Sequence, residues 1–470
     1  MLLRFFRIND RYRLLGLFLL LVLLSLPFWI NPSSITVLEL RNMVLGEAVR
    51  SGSLMYAELF DSTPPFASLS FALTEGVLGK SLGGHHFLAL LLIFFQASFF
   101  AILLINNKAY TDSTYVPALV FGLLCFFSFD MFSLSAELLA STVLLLGLNN
   151  LFKEIEFKIQ RDEIILNLGV YLGVATLLVF SYAIFFFAAL FILIVFTRMG
   201  VRKFLLLFLG FGLPHALLCA FYFYKGESGM LWQNFYAPNL TLNGNSILTI
   251  KSLLYLSLIP SVYFVFSLFM LNREARFTKY QSQLFQVMFL WMLFSFVQVI
   301  IARELTPHNF IVFVPTLAYF ISHYLLLIRR KWIAETMLWI FLAGLLGVNL
   351  LARDGKLSGI DYRELFPKNS PYSSTVKDKR VMVLTHDVGI YEENKLAGFF
   401  LDWELSELVF KESDVYENVL LVSSSIRQNP PEVIIDPHDL MKNYFERIPS
   451  LKALYQREGV FYRLVPVRKN

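Results

Sequence analysis

Two acidic side chains, Glu39 and Asp61, lie near the two ends of a polar segment that follows the first apolar stretch. The segment, residues 38–65, reads LELRNMVLGEAVRSGSLMYAELFDSTPP. A carboxylate can remove a proton from a hydroxyl or amine acceptor when burial raises its pKa toward the working pH. We interpret Glu39 as a candidate general base and Asp61 as the partner that positions an acceptor or a charged substrate. The alternative is structural, with Glu39 on an exposed helix face and Asp61 as a helix cap.

Further ionisable side chains lie beside apolar segments, where an uncompensated charge is costly and therefore marks a candidate site. Glu137 lies two turns inside an apolar helix and needs a partner, for which Arg303 and His308 are the candidates. An arginine can bind a lipid phosphate through two hydrogen bonds, although Arg303 could instead extend to lipid headgroups. Asp130 also suits a simple turn. The predicted substrate-binding residues are Arg41, Glu58, Asp130, Glu137, Arg303 and His308.

The composition indicates a polytopic membrane protein. Hydrophobic residues make up 57% of the 470 residues, charged residues make up 16%, and the mean hydropathy is +0.61. The net charge of +5 is carried by short basic runs between apolar segments, which predicts no nucleic-acid partner. Cys125 and Cys219 both lie in apolar runs, so neither a disulfide nor a thiolate metal site is expected.

Apolar segments long enough to approach the roughly 20 residues of a membrane-crossing helix recur along the first 351 residues. We predict eleven transmembrane helices, at residues 14–30, 86–105, 114–128, 131–150, 163–181, 183–198, 203–223, 248–271, 283–302, 309–327 and 332–351.

The distribution of Lys and Arg predicts the orientation of these helices. Basic residues are concentrated in alternate loops, which places the N-terminus in the cytoplasm and residues 352–470 on the opposite side. This assignment requires that residues 64–83 form an amphipathic helix on the outer surface rather than a membrane span. Residues 35–51 also carry an apolar stripe at helical spacing and are predicted to form a second interfacial helix.

The composition changes after the last apolar segment. Residues 1–351 are predicted to form the membrane domain, which includes an outer loop at 31–85, and residues 352–378 a polar linker. Residues 379–470 are predicted to form a small α/β domain, with strands at RVMVLT, VLLVS, PPEVIID and VFYRLVPV and with helices around LDWELSELVF and LMKNYFERIPSLKALYQRE. The predicted fold class is therefore an α-helical polytopic membrane protein with outer interfacial helices and a C-terminal α/β domain.

The first loop resembles that of the GT-C class of membrane glycosyltransferases, the group of the protein O-mannosyltransferases and aminoarabinose transferases. In that class the loop begins with Asp-Glu and ends with Tyr-x-Asp-x-aromatic-Asp-x-Lys-Pro-Pro. The matching residues of this chain are Tyr56, Glu58, Phe60, Asp61, Pro64 and Pro65, with Glu39 at the Glu of the first pair. The segment around Glu137, the TPHNFIVFVP segment at His308 and the tail after residue 379 are also similar to parts of the class.

This resemblance implies an enzyme that transfers a sugar from a polyprenyl-phosphate donor to a lipid, glycan or protein acceptor on the outer face of the membrane. Arg303 and His308 would then bind the donor phosphate. Two positions differ from the class, since its catalytic Asp is replaced by Leu38 and its Lys by Thr63. The alternative is a catalytically inactive scaffold or partner subunit of an envelope complex.

The same resemblance sets the expected cofactors and partners. The lipid-linked sugar supplies its own activation, so no nucleotide is needed, and the involvement of a divalent metal is left open. Membrane lipid and a polyprenyl-phosphate sugar are the expected partners, with an envelope protein in the scaffold alternative. The expected location is the bacterial inner (plasma) membrane, with the C-terminal domain extracytoplasmic.

Overall fold

The computed structural model describes residues 1–156, 161–241, 245–274, 276–368 and 370–465. The end of the strand predicted at VFYRLVPV lies outside these residues. The α-helices of the described residues, numbered in chain order, are α1 Leu2–Phe6, α2 Arg13–Ile30, α3 Val37–Arg50, α4 Pro65–Leu78, α5 Leu82–Asn106, α6 Val116–Leu124, α7 Ala136–Ile155, α8 Asp162–Thr176, α9 Ile184–Phe196, α10 Val201–Lys225, α11 Ser228–Leu231, α12 Ala237–Leu240, α13 Ile250–Glu274, α14 Lys279–Ile301, α15 Val314–Leu327, α16 Lys331–Arg353, α17 Trp403–Lys411, α18 Tyr416–Gln428, α19 Met441–Arg447 and α20 Pro449–Lys452.

Shorter elements complete the chain. The β-strands are β1 Asn245–Ser246, β2 Glu304–Leu305, β3 Arg380–Val383, β4 Lys395–Leu396, β5 Val433–Ile435, β6 Tyr455–Glu458 and β7 Phe461–Leu464. Single turns of 3₁₀-helix lie at Phe129–Phe132, Phe180–Ala183, Arg363–Leu365 and Gly389–Glu392, a longer one at Pro307–Phe313, and a π-helical turn at Trp232–Tyr236.

The chain folds as two compact units. The first, called here the bundle unit, contains Met1–Ser34, Ser81–Leu218 and Leu242–Glu364. The second, called the loop–sheet unit, contains Ile35–Lys80, Cys219–Thr241 and Leu365–Asn470. The segment that holds Glu39 and Asp61 therefore folds together with the C-terminal strands.

The helices confirm a polytopic membrane protein. Among the described residues, eight helical segments are long and apolar enough to span a membrane: Arg13–Ile30, Leu82–Asn106, Ala136–Ile155, Val201–Lys225, Ile250–Glu274, Lys279–Ile301, Pro307–Leu327 and Lys331–Arg353. The other three predicted spans fall on shorter helices, α6, α8 and α9. Every residue of α6 is buried, so its apolar sequence is explained by protein neighbours on all sides. Eleven spans therefore remain a prediction.

Glycines set a close crossing of α8 and α10 inside the bundle unit. A Cβ atom at Gly169 would overlap the carbonyl oxygen of Leu207, and one at Gly210 would overlap the carbonyl oxygen of Leu166. The two backbones are therefore in van der Waals contact, the arrangement that small residues permit between helices in membranes. A side chain at either glycine could be accommodated only if the helices moved apart.

Local sequence explains the two helices of the first loop, which were predicted at 35–51 and 64–83. Helix α3 begins after Thr36, whose side chain and Glu39 form a capping box. Helix α4 begins with Pro65 at its first position and ends at Gly79, which has a φ of +57°. Gly46 permits their close contact, since a Cβ there would lie 2.7 Å from the Phe71 carbonyl oxygen. Their placement on the outer membrane surface remains a prediction.

The C-terminal part of the loop–sheet unit is the α/β fold predicted from the sequence. Its sheet has the order β4-β3-β5-β7-β6, with β3 parallel to β4 and β5, and β7 antiparallel to β5 and β6. Apolar side chains from the strands and from α17 to α20 form one core. This core also includes Phe60 from the first loop.

Two local assignments in this region are wrong. The predicted strand VLLVS lies inside α18, because Val422 and Ile426, four positions apart, place two side chains on the buried face of a helix. The helix predicted to continue through YQRE ends earlier, and Tyr455–Glu458 form β6 paired with β7. The first error followed β-branched composition where the apolar spacing of a helix was decisive.

Replacing Gly210 by alanine is expected to lower the free energy of unfolding by about 1–3 kcal/mol, because the methyl group must displace the backbone of α8. Gly212→Ala on the same helix is the matched control, since a Cβ at Gly212 meets no atom within 4 Å. Thermal unfolding of the purified protein in detergent measures both. Equal melting temperatures for the two variants would contradict the close crossing.

Candidate functional site

Glu39 stabilises the start of α3. Its Oε2 accepts hydrogen bonds from the Thr36 backbone N–H at 2.9 Å and from the Thr36 hydroxyl at 3.0 Å. The Glu39 backbone N–H in turn donates to the Thr36 hydroxyl at 3.2 Å. A carboxylate at this position also interacts favourably with the positive end of the helix dipole. The predicted base is therefore buried and held in one orientation by the capping box.

Arg41 forms the centre of a charge cluster. Its Nε lies 3.0 Å from Asp61 Oδ2, and its Nη2 lies 3.2 Å from Asp402 Oδ2. Asp61 is fully buried, Asp402 is 8% exposed, and the Arg41 side chain is 18% exposed. The Ser62 hydroxyl donates a longer hydrogen bond, 3.4 Å, to Asp402. The structure thus unites two of the predicted site residues, Arg41 and Asp61, with an aspartate that sequence analysis did not single out.

A constrained loop holds Asp61 in place. Its Oδ1 accepts a hydrogen bond from the Thr63 backbone N–H at 2.8 Å. Tyr56, at the start of the loop, has a φ of +68°, which costs free energy for a residue other than glycine and persists only when neighbours fix it. Asn234 donates to the Tyr56 carbonyl at 2.7 Å, and the Tyr56 hydroxyl donates to the Thr63 carbonyl at 2.8 Å.

Tyr56 remains a neutral phenol in this position. Burial raises its pKa well above the usual value, and the nearby hydroxyl of Tyr222 and carboxylate of Asp61 raise the pKa further. The protonated hydroxyl is therefore available as the donor to Thr63 throughout the physiological range. Its ring packs on Phe235 with a centroid distance of 5.4 Å. Tyr56 fixes the two ends of the loop that carries Asp61.

Backbone hydrogen bonds join this loop to the C-terminal part of the unit. The Phe60 N–H donates to the Phe399 carbonyl at 2.6 Å, and the Asp402 N–H donates to the Phe60 carbonyl at 2.9 Å. Phe60 and Phe400 thereby form a parallel β-bridge. Asp402 also caps α17, because its Oδ1 accepts from the Glu404 N–H at 3.0 Å. The cap position fixes the carboxylate that faces Arg41.

Two other positions of the first loop, Glu58 and Leu38, were also singled out from the sequence. Glu58, predicted to bind substrate, accepts a hydrogen bond from the Leu54 N–H at 2.9 Å and so closes its own turn. Leu38 is half-buried in the first turn of α3, immediately before Glu39.

A second polar cluster lies in the bundle unit around His308. Its Nε2 lies 2.8 Å from Asp130 Oδ2 and 3.1 Å from the Ser133 hydroxyl oxygen. His308 is 2% exposed and so is Asp130. Glu137, in the first turn of α7, is close enough to interact electrostatically with His308, Asp130 and Glu304. Glu137 thus lies in the first turn of a helix and not two turns inside one, as the sequence predicted. Its partnership with His308 stays a prediction, and Ser133 is a contact of His308 that the sequence analysis did not single out.

Arg303 lies between the end of α14 and the Pro307–Phe313 turn, where its side chain is half-buried. It follows Ala302, at which the backbone leaves the helix. Its predicted role in binding phosphate stays a prediction. Within the residues that the structure describes, no group of three or more His, Cys, Asp or Glu side chains is arranged to hold a metal ion.

The fold has counterparts among solved structures. Two crystal structures of ArnT from Cupriavidus metallidurans, one bound to undecaprenyl phosphate and one in the apo state, each match with a TM-score of 0.58 at 12% identity. The first match covers 97% of this chain and 98% of that chain, and the second covers 96% and 97%. The archaeal oligosaccharyltransferase AglB from Archaeoglobus fulgidus matches with a TM-score of 0.49 at 10% identity, over 98% of this chain and 75% of that chain.

No protein-family model and no curated protein matches the sequence. The ArnT structures have the same fold along nearly the whole chain, so the similarity includes both the bundle unit and the loop–sheet unit. The fold that the resemblance of the first loop implied is thus confirmed by the ArnT structures.

Removing the Arg41 charge is expected to destabilise the protein by at least about 2 kcal/mol, because Asp61 and Asp402 would remain buried without their shared cation. The double variant Arg41→Gln/Asp402→Asn should recover part of this loss, since one carboxylate charge is then also gone. Arg363→Gln is the control, because its ion pair with Asp361 is exposed. Thermal unfolding in detergent reports all three, and a double variant less stable than Arg41→Gln alone would refute the charge argument.

Proposed function

We propose that this protein is a membrane glycosyltransferase that transfers a sugar from a polyprenyl-phosphate donor to a lipid, glycan or protein acceptor. The observation that carries the proposal is the buried Arg41–Asp61–Asp402 cluster, which lies in the loop that resembles the acidic first loop of the GT-C class. It occurs on the fold of ArnT, one structure of which was solved with undecaprenyl phosphate bound. Such a donor carries its own leaving group, so no nucleotide is required.

The chemistry of the transfer defines the groups it needs. An oxygen or nitrogen of the acceptor attacks the anomeric carbon, the bond from that carbon to the phosphate oxygen breaks, and polyprenyl phosphate leaves. The acceptor loses one proton to a base. We assign this role to Glu39, whose carboxylate is held by Thr36 in a fixed orientation. Asp61, fixed by Arg41 and by the Thr63 N–H, positions the acceptor.

The leaving phosphate requires positive charge or hydrogen-bond donors. We assign donor-phosphate binding to His308 and Arg303 of the bundle unit. Asp130 Oδ2 lies 2.8 Å from the His308 Nε2 and fixes the position of the imidazole. Arg303 supplies a planar guanidinium that matches phosphate oxygens. Glu137 adds a carboxylate that interacts with the same histidine.

The protein would lie in a bacterial inner membrane with the N-terminus in the cytoplasm, and the transfer would occur on the outer face. The positive-inside distribution of basic residues supports this orientation. A cysteine-accessibility measurement at exposed Tyr416 of the C-terminal domain tests it, since only an outer location permits labelling of intact cells.

Glu39→Gln and Asp61→Asn are each expected to reduce transfer from a radiolabelled polyprenyl-phosphate sugar by about 100-fold or more, because each removes a charged group from the acceptor side. The matched controls are Glu47→Gln, on the same helix but paired with Lys80, and Asp414→Asn, which is exposed. Transfer by the two site variants at the rate of the controls would refute the assigned site.

The alternative is a catalytically inactive member that serves as a scaffold, and Leu38 favours it. Leucine occupies the position of the class's catalytic Asp, and the carboxylate beside it is already used as a helix cap. On this alternative the unsubstituted protein transfers no sugar and purifies in mild detergent with a stoichiometric envelope protein.

Leu38→Asp separates the two functions. If Glu39 is the working base, the variant should change transfer by less than about tenfold, because the chemistry already has its proton acceptor. If the protein has lost activity through this position, Leu38→Asp should produce transfer where the unsubstituted protein shows none. The measurement is the same radiolabelled assay, with Leu38→Asn as the control for polarity without charge.

A further inference from the structure

A polar cavity opens at one end of the bundle unit, separate from the cluster around His308. Its volume is about 930 Å³, and the segments that line it lie at the ends of α5, α7 and α9 and at the start of α14. Three of these four helices, α5, α7 and α14, are long and apolar enough to span a membrane. Since membrane-spanning helices end near the headgroup layer, we place the cavity where the hydrocarbon layer gives way to that layer.

The charges that line the cavity favour an anion. Lys108, Arg276 and Lys279 contribute three cations, and Glu156 is the one acidic side chain among the lining residues that the structure describes. Each of the three basic side chains is exposed and can turn toward a ligand. Lys108 has a φ of +48°, a conformation that places this residue at a sharp turn directly after α5.

The start of α14 adds to the preference for an anion. Thr278 and Gln281 form a capping box there, and both residues line the cavity. The helix is 23 residues long, and the backbone N–H groups of its first turn carry the positive end of the helix dipole. Helix N-termini of this kind bind phosphate groups. Gln281 also contacts the segment after α5, since its Nε2 donates to the Lys108 carbonyl at 3.3 Å.

The shape of the cavity favours a ligand with a polar and an apolar end. Ile155 and Phe196 provide apolar wall at the ends of α7 and α9, beside the polar groups. The volume greatly exceeds that of one phosphate ion and suits a whole headgroup with its glycerol. Basic pockets between membrane helices at this depth select anionic lipids over zwitterionic ones.

We propose that this cavity binds the phosphate headgroup of an anionic phospholipid from the adjoining leaflet, with Lys108, Arg276, Lys279 and the N-terminus of α14 as its ligands. This site lies outside the groups to which sugar transfer is assigned. Binding of an anionic lipid there does not depend on the transfer reaction. Lipid bound there would join the ends of α5, α7, α9 and α14.

Native mass spectrometry of the purified full chain with phosphatidylglycerol and with phosphatidylcholine tests the proposal. Phosphatidylglycerol should bind more tightly, and Lys108→Gln/Arg276→Gln/Lys279→Gln should lose about 100-fold in affinity, since each basic side chain near such a headgroup contributes roughly a fivefold factor. The control Arg11→Gln/Arg330→Gln/Lys331→Gln removes the same charge from exposed positions that do not line the cavity. It should keep phosphatidylglycerol binding.

A charge-preserving variant separates loss of charge from loss of fold. Lys108→Arg/Arg276→Lys/Lys279→Arg should bind phosphatidylglycerol within about threefold of the unsubstituted protein, because all three positive charges remain.

Thermal unfolding with millimolar inorganic phosphate identifies the source of the anion. Stabilisation by inorganic phosphate equal to that by the lipid would overturn the lipid assignment. Equal binding of the two lipids, or unchanged binding by the triple Gln variant, would overturn the site.

Discussion

The contact of Arg41 with Asp61 and Asp402 is the constraint on which the loop–sheet unit depends. Asp61 and Asp402 both contact the Arg41 guanidinium, and loss of this shared cation would leave two buried carboxylates close together. The interaction therefore specifies the positions of α3, of the loop before α4 and of the cap of α17 together. Phe60, which packs in the core of the C-terminal sheet, also fixes the loop before α4 against that sheet.

Much of the fold could be predicted because its signals are local. Long apolar runs identify the membrane helices. The spacing of Thr36 and Glu39 is that of a capping box, so the role of Glu39 at the start of α3 could also have been predicted. Helix α6 shows the limit of hydropathy, since a helix surrounded by protein is as apolar as one surrounded by lipid. Its nine helical residues are fewer than its apolar run suggested.

The candidate site was predicted only in part, and the reason is sequence separation. Arg41 and Asp61 are 20 residues apart and lie in one segment, so the sequence could place them together. Asp402 is 361 residues from Arg41, and nothing around it distinguishes a helix cap from a member of a charge cluster. The contact of His308 with Asp130 was likewise invisible, although both residues were singled out as charges in apolar surroundings.

The parallel bridge between Phe60 and Phe400 has a consequence for biosynthesis. The first loop leaves the ribosome long before residues 399–402 exist, so it has no partner strand while most of the membrane helices are being inserted. Chain segments that wait for distant partners fold late and expose unpaired backbone in the interval. The loop–sheet unit therefore forms as one of the last events in the maturation of the protein, after the membrane helices have entered the bilayer.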